Sequence, residues 1–158
     1  MKQTFTHADF DQISWHDNEI NGFEFRVGDP DKDDWTSDLL LDIDHIVEWV
    51  RKEDKFQFLI APATLVFHGV TDLRVDIDSG QVGYQVALPL PSIAEIEREP
   101  IADQKVYLDR PYYRWYIRLN GTPDGEITFG AYGFTQTLRR EPVLCQQQRL
   151  DRSLRGSL

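Results

Sequence analysis

Apolar and polar side chains alternate with a period of two along much of the chain. Runs with this alternation lie at 23–27, 41–49, 56–60, 73–77 and 113–119. In the second run, Leu41, Ile43, Val47 and Trp49 are expected to share the buried face. Because successive side chains of a strand point to opposite faces of a sheet, the alternation predicts strands with one buried and one solvated face. Such strands are typical of antiparallel sheets.

A helix is indicated at one place in the chain. Ser92 and Glu95 fit a capping box, and Pro100 stops the segment, so we predict one short helix at about 91–99. Many short strands with a single helix favour a mainly β fold. We therefore predict an antiparallel β-barrel or β-sandwich with this short helix, and an α+β variant of that fold stays open.

Length and composition indicate one globular domain. The chain has 158 residues, of which 41% are hydrophobic, and this is sufficient for a single core. We assign residues 1–144 to a single β-rich domain and residues 145–158 to a polar C-terminal tail. Cys145 is the single cysteine, which excludes an internal disulfide and a multi-cysteine zinc site.

Acidic side chains are concentrated in the N-terminal third. The formal net charge is −10, and residues 1–54 carry 15 acidic and 5 basic side chains. A field of this sign repels phosphate, so we expect no nucleic-acid partner. We expect the arginines of residues 111–158 to pair with the acidic third or to be solvated. Charges interrupt the best apolar run, at 39–50, and no secretory signal is visible, so we expect a cytoplasmic protein without membrane contact.

Four side chains are candidates for a polar cluster: His16, Asp17, His45 and His68. If the strands that carry His45 and His68 are neighbours, the imidazoles can meet near His16 and Asp17 and bind a divalent ion. In the alternative, His45 lies at the edge of the core with one hydrogen bond, and His16 with Asp17 orients a turn. Strand register decides between the metal site and the structural alternative. We assign no catalytic residue, metal ion or cofactor.

Carboxylates recur in pairs. Asp42 with Asp44, and Asp76 with Asp78, each place two acids on one strand face, which resembles an acid–base pair only where that face is enclosed. We expect both pairs to be solvated. The alternating acids at 29–34 resemble a calcium loop, but an EF-hand needs a glycine at its sixth position and a glutamate at its twelfth, and this segment has neither. It is expected to be a solvated acidic turn.

Tyrosine and arginine alternate near the predicted strand at 113–119. Tyr112, Arg114, Tyr116 and Arg118 are expected to share its exposed face. Tyrosine and arginine are enriched at protein–protein hot spots, so this face is a candidate partner-binding surface. The alternative is cross-strand packing on an ordinary surface.

Three segments carry a resemblance to other proteins: S-W-H-D-N-E-I at 14–20, L-L-L-D-I-D-H-I at 39–46 and A-P-A-T-L-V-F-H at 61–68. They resemble a family of small bacterial proteins of unknown function with an S-W-H-D-N-x-I start. That start is also distantly similar to the H-D-x-x-[IV] start of polymorphic-toxin immunity proteins. The latter similarity implies an acidic cytosolic protein that binds another protein, and neither resemblance supplies an active site.

Together these observations predict a non-catalytic protein-binding domain, similar to immunity proteins, that engages a protein partner through an acidic or a Tyr/Arg face. Two alternatives stay open. One is a small metal-dependent hydrolase built on His16, Asp17, His45 and His68. The other is a structural homo-oligomer in which the aromatic strand pair is a subunit contact.

Overall fold

A computed structural model describes residues 1–78, 91–105, 107–121 and 125–156. The strands in these residues are β1 Thr4–Thr6, β2 Glu19–Val27, β3 Ser37–Lys52, β4 Lys55–His68, β5 Thr71–Asp76, β6 Ser92–Pro100, β7 Tyr113–Asn120, β8 Glu126–Ala131, β9 Gly133–Leu138 and β10 Val143–Cys145. Helix α1 is Arg152–Arg155, and 3₁₀ turns lie at His7–Gln12 and Pro30–Lys32. The predicted, mainly antiparallel β fold is confirmed. No helix in the described part of the chain is long and apolar enough to cross a membrane.

The predicted position of the short helix is wrong, because residues 92–100 form strand β6. A β-bulge shifts the register between Ile93 and Glu95. The extra residue turns Ile93 and Ile96 toward the same core, three positions apart, and this spacing imitates a helix. Ser92 does not cap a helix, since its hydroxyl oxygen accepts a hydrogen bond from the Asn120 side-chain amide at 3.1 Å.

The strands form one antiparallel sheet in the order β1-β9-β4-β3-β2-β6-β7-β8-β5, with β10 beside β4. The path ends at β1 and β5 without a closing pair among the described strands. One half of the sheet is β1-β9-β4-β3-β2 and the other is β6-β7-β8-β5. The halves join at a corner where Glu19 pairs with Ser92 and the Ile20 N–H donates to the Pro91 carbonyl at 2.8 Å. The sheet is therefore open and folded over rather than a closed barrel.

The two halves of the sheet enclose the main core. Phe67 of β4 meets Trp115 of β7 at a ring-centroid distance of 5.0 Å and Phe129 of β8 at 4.7 Å, both edge-to-face. This geometry is favourable for aromatic pairs. Trp115 is fully buried, and its indole N–H donates to the Ala131 carbonyl at 3.1 Å. The two ring contacts of Phe67 cross the fold and hold its two halves together.

Strand β3 is buried on both faces along much of its length. Leu39, Leu41 and Ile43 face the main core. The opposite face contributes Ile46 to a second, smaller core. The members of that core are Ile46, Phe58, Ile60 and Leu150, with Val143, Cys145 and Leu154 packed against them.

A bulge between Ile46 and Glu48 reverses the alternation of β3. Trp49 pairs with Phe58, and their ring centroids lie 5.0 Å apart. Because Phe58 belongs to the second core, the expectation that Trp49 shares the face of Leu41 is wrong. The inserted residue moves every later side chain of β3 to the other face.

We expect Trp115→Ala to lower the free energy of unfolding by about 3–5 kcal/mol, because it leaves a cavity at the centre of the main core. Urea unfolding followed by circular dichroism measures this change. Trp35→Ala is the control, because Trp35 is 76% exposed and its loss is expected to change stability by at most about 0.5 kcal/mol. Equal effects of the two substitutions would contradict this location of the core.

Candidate functional site

His45 lies at the edge of the main core. It is buried, and its Nδ1 accepts a hydrogen bond from the Asn18 amide nitrogen at 2.8 Å. The Asn18 Oδ1 in turn accepts from the Ile46 N–H at 3.1 Å, which fixes the orientation of the amide. Burial lowers the pKa of His45 from 6.5 to about 4, because desolvation disfavours the charged imidazole. His45 is therefore neutral near pH 7, with its proton on Nε2.

His68 lies in different surroundings on β4. Its Nδ1 is 3.2 Å from an Asp38 carboxylate oxygen, and its Nε2 is 2.9 Å from the Thr135 hydroxyl. The ring stacks on Tyr132 at a centroid distance of 5.9 Å. Both ring nitrogens are therefore engaged in local hydrogen bonds.

His16 and Asp17 connect chain segments that are distant in sequence. His16 is exposed, and its Nδ1 donates to the Ala94 carbonyl at 3.0 Å. Asp17 accepts hydrogen bonds from the side-chain amides of Asn120 at 3.0 Å and Gln148 at 2.9 Å. Asp17 thus ties the end of β7 to the C-terminal residues.

The structure does not bring the three histidines together. Strands β3 and β4 are neighbours, as the metal-site hypothesis requires, but His45 pairs with Ala61. His68 lies seven residues beyond Ala61 on β4, which is about 23 Å along a strand. No group of three or more His, Cys, Asp or Glu side chains within the described ranges is placed to hold a metal ion.

A buried ion-pair network, not predicted from the sequence, lies on the second face of β3. Asp42 and Asp44 are 8% and 1% exposed, so the expectation that this pair is solvated is wrong. Arg139 approaches Asp42 at 2.8 Å. Arg155 pairs with Asp42 at 2.5 Å and also with Asp44. The Leu150 N–H donates to Asp44 at 2.9 Å.

Residues 146–156, here called the C-terminal segment, cover this network. Leu150 is buried against the second core, and the Leu154 carbonyl accepts a hydrogen bond from Arg140 at 2.6 Å. The expected pairing of C-terminal arginines with the acidic third is confirmed for Arg139 and Arg155. Because guanidinium groups engage both aspartates beneath a covering segment, this carboxylate pair links β3 to the C-terminal segment.

The prediction that Tyr112 is exposed is wrong. It is 4% exposed, and its hydroxyl donates to the Gly69 carbonyl at 3.0 Å and lies 2.8 Å from the Thr71 hydroxyl. Burial raises the pKa of Tyr112. The reason is that β7 begins at Tyr113, so Tyr112 precedes the strand and does not follow its alternation.

The other residues of the predicted Tyr/Arg face, Arg114, Tyr116 and Arg118, share one side of β7 and are at least partly exposed. Arg118 lies among glutamates of both neighbouring strands. Its nitrogen–oxygen distances are 3.2 Å to Glu95, 2.9 Å to Glu97 and 3.7 Å to Glu126. The charge of Arg118 is therefore compensated by glutamates of its own chain. This favours the alternative given for the Tyr/Arg face, which is cross-strand packing on an ordinary surface.

A cleft of about 570 Å³ lies between the first 3₁₀ turn and β6. Phe10, Trp15, His16 and Glu95 line part of it. The Trp15 indole N–H donates to the side-chain oxygen of the buried Gln136, and Glu95 pairs with Arg118. Because these polar groups have structural partners, we assign no reaction to the cleft.

The connection between β2 and β3 presents an exposed indole among carboxylates. Residues 28–36, here called the acidic tip, contain four aspartates and one lysine. The exposed Trp35 ring is fixed by its N–H, which donates to Asp33 at 3.0 Å. Thr36 donates to Asp34 from its hydroxyl at 2.6 Å and from its backbone at 3.0 Å, and these bonds lower the pKa of Asp34. The predicted solvated acidic turn is confirmed.

Neither the family models, nor the curated proteins, nor the solved structures include one that matches this chain. The resemblances based on residues 14–20, 39–46 and 61–68 therefore stay predictions.

We expect Arg155→Ala to lower the free energy of unfolding by about 3–5 kcal/mol, because it leaves the buried Asp44 carboxylate without its charge partner, whereas Asp42 keeps Arg139. Chemical denaturation measures the change. Arg152→Ala is the matched control, since Arg152 lies in the same helix and is exposed; we expect a change of at most about 0.5 kcal/mol. A similar small change for both variants would argue against the network.

We expect the stability to fall as the pH decreases from 6.5 toward 4, because the unfolded chain protonates His45 while the folded chain keeps it neutral. The lowering of the pKa from 6.5 to about 4 corresponds to about 3 kcal/mol. His45→Gln should remove this contribution, and His16→Gln should not. Urea unfolding at several pH values tests the prediction, which fails if the wild type and His45→Gln have the same pH dependence.

Proposed function

We propose that this chain is a non-catalytic protein-binding domain that engages a basic protein partner through the acidic tip. The observation that carries the proposal is Trp35, which is 76% exposed, is held by Asp33 and follows the four aspartates of residues 29–34 in the chain. Tryptophan is among the residues most enriched at binding hot spots. A ring that is ordered before binding also loses less conformational entropy when a partner covers it.

The charge of the acidic tip determines the kind of partner. Its lysine, Lys32, already pairs with Asp29 at 2.8 Å. The carboxylates of Asp31 and Asp33 are exposed, and within the described ranges no cation pairs with them. Complementary potentials accelerate encounter and select partners. A lysine- or arginine-rich protein surface is the complement of this tip.

The other candidate sites support this choice. His16, His45 and His68 each have separate structural partners, so the hydrolase alternative lacks a common centre. Arg118 of the Tyr/Arg face is compensated by glutamates of its own chain. The acidic tip combines an exposed aromatic ring with unbalanced charge.

We expect Trp35→Ala to weaken partner binding by about 2 kcal/mol or more. We expect Asp31→Asn/Asp33→Asn to slow association and reduce its salt dependence. The immobilised chain is used to capture a partner from cells of its source, and the partner is identified by mass spectrometry and purified. It is then titrated calorimetrically against each variant at low and high salt.

Two control variants test whether the acidic tip is the site. Phe56→Ala removes an exposed aromatic ring, and Glu53→Gln/Asp54→Asn removes two charges. Both lie at the β3–β4 turn, about 50 Å along β3 from the tip. Wild-type affinity is expected for both controls. The proposal is overturned if the tip variants bind like the controls, or if the purified partner carries no basic surface.

A further inference from the structure

Three polar side chains on adjacent strands form a chain of hydrogen bonds. They are Asp38 of β3, His68 of β4 and Thr135 of β9, here called the outer triad. The Asp38 Oδ2 lies 3.2 Å from the His68 Nδ1, and the His68 Nε2 lies 2.9 Å from the Thr135 hydroxyl oxygen. Carboxylate, imidazole and hydroxyl follow one another in the order by which a base and its orienting acid activate a nucleophilic hydroxyl.

Strand register brings the outer triad together on the face of the sheet that is turned away from the main core. Leu39 pairs with Phe67, and both belong to the main core. Because successive side chains of a strand point to opposite faces, Asp38 and His68 lie beside each other on the other face. Thr135 pairs with the residue two positions before His68, so its side chain shares that face.

The hydrogen bonds define where the neutral His68 ring carries its proton. A carboxylate only accepts hydrogen bonds, so the proton lies on Nδ1 and is donated to Asp38. The Nε2 then has a free lone pair and accepts a hydrogen bond from the Thr135 hydroxyl. An imidazole in this position can take the hydroxyl proton when the oxygen attacks an electrophile.

Neighbouring groups hold the outer triad in place and leave it accessible. The Gly69 N–H donates to the Asp38 Oδ1 at 3.1 Å, and the His68 ring stacks on Tyr132 with an angle of 22° between the ring planes. The side chains of His68 and Asp38 are 27% and 35% exposed, and Thr135 is half-buried. A small molecule can therefore approach the triad from solvent.

We propose that Thr135 is a site of self-acylation, where its hydroxyl accepts the acyl group of an activated ester. The hydroxyl oxygen forms a bond to the carbonyl carbon of the ester, while its proton passes to the His68 Nε2. The bond from this carbon to the leaving oxygen then breaks, and His68 gives the proton to that oxygen. The products are a threonyl ester and the alcohol or phenol of the donor. Asp38 stabilises the transient imidazolium.

The reaction modifies the chain itself. The threonyl ester has a poorer leaving group than the activated donor, so we expect it to persist rather than to turn over. Neither Trp35 nor the acidic tip takes part. The proposal therefore goes beyond the proposed protein-binding function and is independent of it.

Acetylation by p-nitrophenyl acetate tests the proposal on the whole chain. Mass spectrometry of peptides taken at successive times locates the acetyl groups, and we expect Thr135 to be the residue that is acetylated fastest. His68→Gln is expected to lower the rate at Thr135 by about 100-fold or more, because the general base is lost. Thr135→Ser should be acetylated at this position, since serine keeps the hydroxyl, and Thr135→Val should not. Circular dichroism checks that each variant is folded.

Two control variants test whether the outer triad is the reacting group. Thr137 lies on the same strand and face as Thr135 and is exposed, and His16 is an exposed histidine on another part of the chain. Thr137→Val and His16→Gln should both acetylate Thr135 at the wild-type rate. Equal slowing by His16→Gln and His68→Gln would contradict the role of His68.

Asp38 acts through His68 and is a positioning residue. Asp38→Asn removes the acceptor that keeps the proton on Nδ1, so we expect slower acetylation together with a shift of the proton to Nε2. The nitrogen NMR shifts of His68 report this change. The proposal is overturned if Thr135 is not acetylated in the wild type, if His68→Gln reacts at the wild-type rate, or if the neutral wild-type ring carries its proton on Nε2.

Discussion

Two aspartates on a strand that is buried on both faces impose the main constraint on this fold. Asp42 and Asp44 lie between the sheet and the C-terminal segment, where an unpaired charge is costly. Arg139 and Arg155 supply the compensating charges. Because Arg155 lies 113 residues from Asp42 in sequence, the ion pairs fix the C-terminal segment and with it the second core.

This constraint also determines which chemical groups remain at the surface. The carboxylates of β3 that resemble an acid–base pair are enclosed and paired, and His45 is neutral inside the core. Exposed carboxylates and the exposed Trp35 indole lie at the acidic tip of the β2–β3 hairpin. The negative charge of this tip is the basis of the proposed binding to a basic protein.

The strands were predictable because a strand with one buried face shows period-two alternation in its own sequence. Two of the errors occur where one extra residue breaks the period. A bulge in β6 gave Ile93 and Ile96 a helical spacing, and another in β3 moved Trp49 to the opposite face. Bulges depend on pairing with a neighbouring strand, so the sequence of one strand does not show them.

The sequence by itself determined the antiparallel β character, the acidic turn at 29–34 and the separation of opposite charges between the two ends of the chain. Only the tertiary structure decided that Asp42 and Asp44 are buried, that Tyr112 is enclosed and that His45 and His68 are far apart. The physical reason is that alternation specifies which side chains share a face of a strand. Strand order and register specify what covers that face, and they depend on contacts between residues far apart in the chain.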